Sequence, residues 1–408
     1  SADERRAQGQ VNAAAEAAPR PRARAETARN FRPPLPPFVT LVAEDERHQW
    51  TGVAVTPDNA LFACYPRWDG PYRHAVVRIG PSGEKIPFPD EAWNTFERGE
   101  DPAENWICVQ SVYADERGGL WVLDPANPRF EGVVEGGAKL VCLDPDSGRV
   151  LYRHVFTPGV IEPRSYLNDV RVDLRTNTAY ITDSGAGGLV VLDLPTGDAR
   201  RVLAGHPATL AEPGFVPVVA GKELRVRETG EVRQIHADGI ALSPDGRTIF
   251  IQALTADDLF AIPTDALRNF GLSDDRLAHA VRYLGESTPT DGMWMDPAGN
   301  LFFSAYTLSG IVARQPSGRT ITLATHPEFA WPDSFALHAE SATLYFTTSR
   351  IHEGEAYDGD PIDKPFRIFA IDLTRTPLNP FGPGVPGGTA GETGGSFRSP
   401  EDVRAGGQ

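Results

Sequence analysis

Apolar residues in this chain come in short runs, several of them alternating with polar positions, and Asp, Asn, Gly or Pro separates one run from the next. Alternation of that period predicts β-strands, and the separators predict tight turns. One unit recurs: an apolar strand, a turn with Asp, Asn or Gly, then a second strand carrying an aromatic residue. Its copies read TGVAVTPDNALFACYP from Thr51, VQSVYADERGGLWVLD from Val109, NDVRVDLRTNTAYITD from Asn168, DGIALSPDGRTIFIQAL from Asp238, DGMWMDPAGNLFFSAY from Asp291 and DSFALHAESATLYFTT from Asp333. Further strands follow each pair, among them HAVVRIG, AKLVCLD, GLVVLDL, DLFAI, GIVARQ and FRIFAIDL. Six copies of a strand meander predict an all-β fold, a six-bladed β-propeller.

The last copy supplies only three strands, while FVTLVAE (residues 38–44) is a strand that precedes the first copy and has no blade. Pairing the two closes the ring and removes an open sheet edge. The chain then divides into an Ala/Arg/Pro-rich N-terminal arm (1–37), disordered or wrapping, the propeller (38–375), and a Gly/Pro-rich C-terminal tail (376–408).

Composition narrows the function classes. Net charge is −16, which argues against nucleic acid or an anionic membrane surface as partner. No apolar run reaches the ~18–20 residues of a membrane-spanning helix. The chain starts at Ser1 rather than Met, and a processed or trimmed form is expected. The three cysteines, Cys64, Cys108 and Cys142, exclude a disulfide-dense scaffold and a C-x-x-C metal site. They leave two options, one bond with one free thiol or three buried thiols. Cys64 ends the second strand of blade one and Cys108 opens blade two on the same face, so these two are the pair expected to approach.

In a propeller the first strand of each blade lines the central channel, and its opening residue sits at one mouth. Those residues read Trp50, Gln110, Asn168, Asp238, Asp291 and Asp333. Carboxylates converging on an axis must share protons, stay hydrated or hold a cation. Oxygen ligands from Asn168, Asp238 and Asp291 suit a hard divalent cation such as Ca²⁺, with Asp333 and Gln110 as outer partners. A simpler reading of the same positions is that Asp-Gly and Asn-Asp cap the turn entering each strand. Aromatic residues fall near the same mouth: Trp50, Trp106, Tyr166, Tyr306 and Trp331. An aromatic wall beside a carboxylate suits an amine ligand, and packing between blades also accounts for such residues. There is no G-x-S-x-G elbow, H-E-x-x-H or phosphate loop, and no organic cofactor is expected. His236, two residues before Asp238, is read as satisfying a local hydrogen bond.

The strings GLWVLD, KLVCLDPDSGRVLYRHVF, SYLNDVRVD, AYITDSGAGGLVVLDL, GIALSPDGRTIFIQAL and LFAIPTDALRN resemble, in this order, the yellow / major royal jelly protein family. The Arg-rich, Lys-poor composition suggests a bacterial member. The resemblance implies an exported propeller, here of the periplasm or cell envelope. Its relatives include proteins linked to dopachrome conversion and insect salivary proteins that bind biogenic amines at the channel mouth. Glu116 stands where the insect proteins tend to have Cys, which sets their disulfide scheme aside. A more distant similarity is to the gluconolactonase/regucalcin propellers. It implies Asn168 as a metal ligand, Asp238 in place of their Asn, and Asp291 as ligand and general base. Their first-blade Glu has no counterpart in His48-Gln49-Trp50. The function expected is therefore binding of an aromatic or amine-like small molecule at the channel mouth, beside a divalent cation. The alternative is an enzyme, a metal-assisted lactonase or a dopachrome-type tautomerase, with Asp291 moving the proton.

Overall fold

A computed structural model describes residues 33–96, 100–358, 362 and 364–378. The arm and tail expected at 1–37 and 376–408 fall almost entirely outside the described residues.

The expected propeller is present as six four-stranded antiparallel sheets. Blade one is built from Gly52–Val55, Leu61–Cys64, Val76–Ile79 and Lys85–Pro87, and blade two from Ser111–Ala114, Leu120–Asp124, Lys139–Leu143 and Val150–Val155. Blade three contains Leu167–Asp173, Thr178–Asp183, Leu189–Asp193 and Ala199–Val202. Blade four contains Ala237–Leu242, Thr248–Ala253, Asp258–Pro263 and Arg282–Glu286, with two short helices (Thr264–Arg268, Asp274–Ala280) before its last strand. Met293–Met295, Leu301–Ala305, Gly310–Arg314 and Thr320–Thr325 form blade five. In blade six, Pro332–His338, Thr343–Thr348 and Phe366–Asp372 are joined by the N-terminal strand Val39–Asp45. That strand pairs antiparallel with Phe366–Asp372, from Val39 opposite Ile371 to Asp45 opposite Phe366, with one irregularity between Leu41 and Ala43. The ring therefore closes with strands from both ends of the chain, as the orphan strand predicts.

Burial falls from the axis outward. Every residue of Leu167–Asp173 is buried, whereas Val150–Val155, at an outer edge, has none. The core lies between blades. Phe62, Trp106, Val112 and Val122 join blades one and two, and Trp121, Leu123, Val170 and Ile181 join two and three.

Near the axis the blades touch through backbone. A Cβ on Gly239 would lie 2.6 Å from the Asp291 carbonyl oxygen, and one on Gly292 would lie 2.4 Å from that of Asp333. Only glycine permits this approach. The Gly of each Asp-Gly pair is thus required by the neighbouring blade. Second-strand side chains lock the same places: Cys64 donates to Gln110 O at 3.2 Å, Thr182 to Asp238 O at 2.8 Å and Thr347 to Thr51 O at 2.5 Å. The backbone of each opening residue is thereby fixed before its side chain does anything.

Candidate functional site at the channel mouth

Thr51, Gln110 and Asp291 each donate their backbone N–H to the end of the second strand of their own blade, at Cys64 O, Leu123 O and Ser304 O. This common register identifies the opening position, and in blade one it is Thr51. The expected Trp50 is one residue out. Its side chain is fully buried in the seam between blades six and one, with Nε1 donating to Arg367 O. A shift of one residue turns a strand side chain to the other face. Trp106 is likewise core, donating to Phe88 O and packed on Trp93 with ring centroids 4.4 Å apart.

The other predicted residues are joined by one arc of side-chain hydrogen bonds. Trp68 Nε1 donates to Tyr166 OH at 2.8 Å, and Tyr166 OH donates to Gln110 Oε1 at 2.8 Å. Gln110 Nε2 reaches Asn168 Oδ1 at 3.5 Å, and Asn168 Nδ2 donates to Asp238 Oδ2 at 2.8 Å. From the far side Trp331 Nε1 donates to Asp291 Oδ2 at 2.7 Å. The carboxyl groups of Asp238 and Asp291 lie within hydrogen-bonding reach of each other. Two carboxyl oxygens can approach in that way only with a proton between them. Asp238 Oδ1 has no other donor among the described residues. The arc thus runs donor to acceptor toward the Asp238–Asp291 pair, with a second Asn168 N–H bond going to Ser184 Oγ at 3.0 Å, and such chains polarise in one direction.

Burial dominates the electrostatics here. Asp238 is 2% exposed, Asp291 6% and Asp333 3%. Desolvation, with repulsion from Asp291, holds the Asp238 carboxyl well above the carboxylate range, and the same two causes raise Asp333. Asp291 is pushed up to about 7 by burial, opposed by the Trp331 N–H. No basic side chain is among the hydrogen-bond partners of these three groups in the described residues. Arg171 approaches only Asp169, at 3.7 Å.

Tyr306 does not face the mouth. It is fully buried, donates to Leu254 O at 2.8 Å and stacks on Trp331 at 4.4 Å. It forms a second layer behind Asp291, backed by Val219 and Leu224 of the segment linking blades three and four. Trp331 holds φ of +56°, and strain of this kind costs roughly 1–3 kcal/mol and clusters at functional sites. His236 accepts from Ala211 N at 3.0 Å, the local bond expected of it.

Two aromatic residues at this mouth escaped the sequence reading. Phe130, 51% exposed, lies on Tyr166 with centroids 4.8 Å apart and on Trp68 at 5.8 Å. Both come from connections between the second and third strands, which lie on the face where first strands open. That topology, together with the aromatic in Asn127-Pro128-Arg129-Phe130, was the available signal.

The expected approach of Cys64 and Cys108 does not lead to a bond: all three cysteines are free and buried. The Cys64 thiol is used on Gln110 O, and that of Cys108 lies 3.7 Å from Tyr166 OH. Nor does a closed cation shell form. Among the described residues no three His, Cys, Asp or Glu side chains are placed to hold a metal ion. Asn168 turns an N–H rather than its oxygen toward Asp238, and Thr51 offers no carboxylate in blade one. The residues in this arrangement do not fit a resident hard cation.

A family model described as major royal jelly protein matches residues 107–379. Comparison with curated proteins found no match. Among solved structures the chain is similar to a luciferin-regenerating enzyme (TM-score 0.51, 13% identity, covering 84% of this chain and 97% of that one). It is also similar to a gluconolactonase from Xanthomonas campestris (TM-score 0.50, 13% identity, 83% and 89%). A calcium-binding regucalcin from Agrobacterium tumefaciens gives a TM-score of 0.49 at 13% identity, covering 81% and 93%. At these identities the likeness is one of fold.

Proposed function

The chain belongs to the major royal jelly protein family, and from that premise we propose that its channel mouth binds a small aromatic molecule carrying a protonated amine. The observation that carries the reading is the set of three buried carboxyl groups, Asp238, Asp291 and Asp333, with no basic partner among the described residues. Such groups are costly to ionise unless a cation offsets them. An ammonium has three N–H donors and replaces the shared proton without needing a complete set of metal ligands. The exposed ring of Phe130 and the partly buried Trp68 offer the aromatic surface such a ligand uses, through stacking and cation–π contact.

The test is a thermal-shift and calorimetric series with phenethylamine, its neutral analogue phenylethanol, and Ca²⁺. Phenethylamine is expected to raise the melting temperature, because it binds only the folded state. Phenylethanol is expected to do much less. A shift produced by Ca²⁺ and not by the amine would replace this reading with a metal site.

A second reading rests on the shared proton itself. A carboxyl group near 7 hydrogen-bonded to another carboxyl is poised to donate and accept protons, the requirement of a tautomerase. Turnover of a quinone-like substrate that disappears in Asp291→Asn would support it.

A further inference from the structure

The opposite mouth of the channel holds a cavity of about 150 Å³ that none of the residues above explains. Its lining includes Tyr113, Arg171, Val172, Leu242, Trp294 and Met295, from blades two to five. These residues lie toward the far ends of the first strands whose openings form the acidic mouth. Arg171 is 6% exposed and lies beside two packed rings, its guanidinium carbon 5.6 Å from the centre of Tyr113 and 5.0 Å from that of Trp294, with the ring centres 5.7 Å apart. Two of its N–H groups are committed, Nη1 to Val170 O at 2.6 Å and Nη2 to Met293 O at 2.7 Å. The nearest carboxylate, Asp169, is 3.7 Å away, beyond hydrogen-bonding distance, and its Oδ1 accepts from Ser111. Guanidinium has five donors. The two carbonyl bonds leave donors that an acceptor in the cavity would use.

We infer that this cavity is a second ligand site, taking a small planar monocarboxylate whose oxygens fill the free donors of Arg171. Arg171 is the recognition element: its carbonyl bonds and the adjacent rings fix the guanidinium plane, as bidentate carboxylate binding requires. Tyr113, Trp294, Leu242 and Met295 supply the apolar part of a mixed lining, which suits a planar body. About 150 Å³ is the size of a cavity that admits benzene. Arg175, also on the lining, is paired with Asp173 at 2.8 Å, whereas Arg171 has only the longer buried pairing with Asp169 at 3.7 Å. Exposed Glu116 at the rim opposes an anion and sets the site's upper affinity.

The experiment is a fluorine-NMR titration of the full chain with 4-fluorobenzoate. Saturable shift or broadening is expected, weakened about tenfold or more in Arg171→Gln, the cost of losing charge-assisted hydrogen bonds. Because Arg171 also supports the inner strands, Glu116→Lys is the second variant. It lies on the surface and is expected to tighten binding about two- to fivefold. Asp291→Asn, at the other mouth, should leave fluorobenzoate binding unchanged, so this site stands or falls apart from the amine reading. No saturable binding by the folded chain would overturn the inference. So would binding indifferent to Glu116→Lys, or binding abolished by Asp291→Asn.

Discussion

Two sets of buried aspartates, one at the ends of second strands and one at the openings of first strands, differ in how fully their own chain satisfies them. Asp124 accepts from Ile107 N at 2.7 Å, Cys108 N at 3.0 Å and Ala126 N at 2.8 Å, and from Lys139 Nζ at 2.9 Å. Asp183 accepts from the N–H groups of Tyr166, Gly185 and Ala186 and pairs with Arg201. Both are fully buried, and both have backbone donors and a cation. Asp238, Asp291 and Asp333 are buried almost as deeply, yet among the described residues have one or no neutral donor per oxygen and no cation. A buried carboxylate that serves the fold is surrounded by its own chain. One left short of partners is where the proposed amine would bind.

The largest expected effect breaks the first set. Asp124→Ala strands the fully buried Lys139 and three backbone N–H groups. Removing one partner of a buried pair costs about 3–5 kcal/mol, visible as a fall in the urea midpoint. The double variant Asp124→Leu with Lys139→Met should recover much of that loss. Equal instability of single and double variants would mean that the backbone bonds, rather than the ion pair, hold this loop.

Breaking the second set should do the reverse. Asp291 has a folded-state pKa near 7, above its ordinary 3.8. Its proton favours the folded state fully below pH ~4, and that contribution fades as pH rises to ~7. Each tenfold gain in proton affinity on folding is worth roughly 1.4 kcal/mol. Asp291→Asn should therefore match the native chain near pH 4, exceed it near pH 8, and show a shallower decline between. Denaturation midpoints across that range decide it. Parallel curves would mean that Asp291 is not the group carrying the proton.

The sequence showed the two sets unequally. The six-fold repeat made the ring and its closure legible, because each blade repeats one burial pattern and the orphan strand at 38–44 had a single vacancy to fill. The acidic openings were legible for the same reason. Blade one was misread by a residue because Trp50 outweighed the better guide, an X-Gly step shared by Thr51-Gly52, Asp238-Gly239 and Asp291-Gly292. That Asp124 and Asp183 are satisfied while Asp238 is not depends on loops and neighbouring blades, which repeat alignment does not reveal. Arg171 had a signal that went unused: a charged residue inside NDVRVD, a strand expected to line the channel, is itself informative. Phe130 and Trp68 sit in irregular connections, where period carries no information.

A smaller effect separates the aromatic surface from the acids behind it. Phe130→Ala should weaken phenethylamine binding about three- to tenfold, the worth of one aromatic contact with a cation. Half-exposed, with φ of +59°, Phe130 contributes little to the fold, so the melting temperature should barely move. A large loss of stability would show that the ring belongs to the core of blade two.

The central claim is that the Asp238–Asp291 pair holds a proton which an incoming ammonium replaces. Calorimetric titration of phenethylamine near pH 6, in two buffers of different ionisation enthalpy, counts that proton directly. Release of at least about one proton per amine bound is expected near pH 6, with affinity rising as pH rises from ~6 to ~8. Amine binding with no proton released near pH 6, or affinity that falls as pH rises from ~6 to ~8, would contradict it.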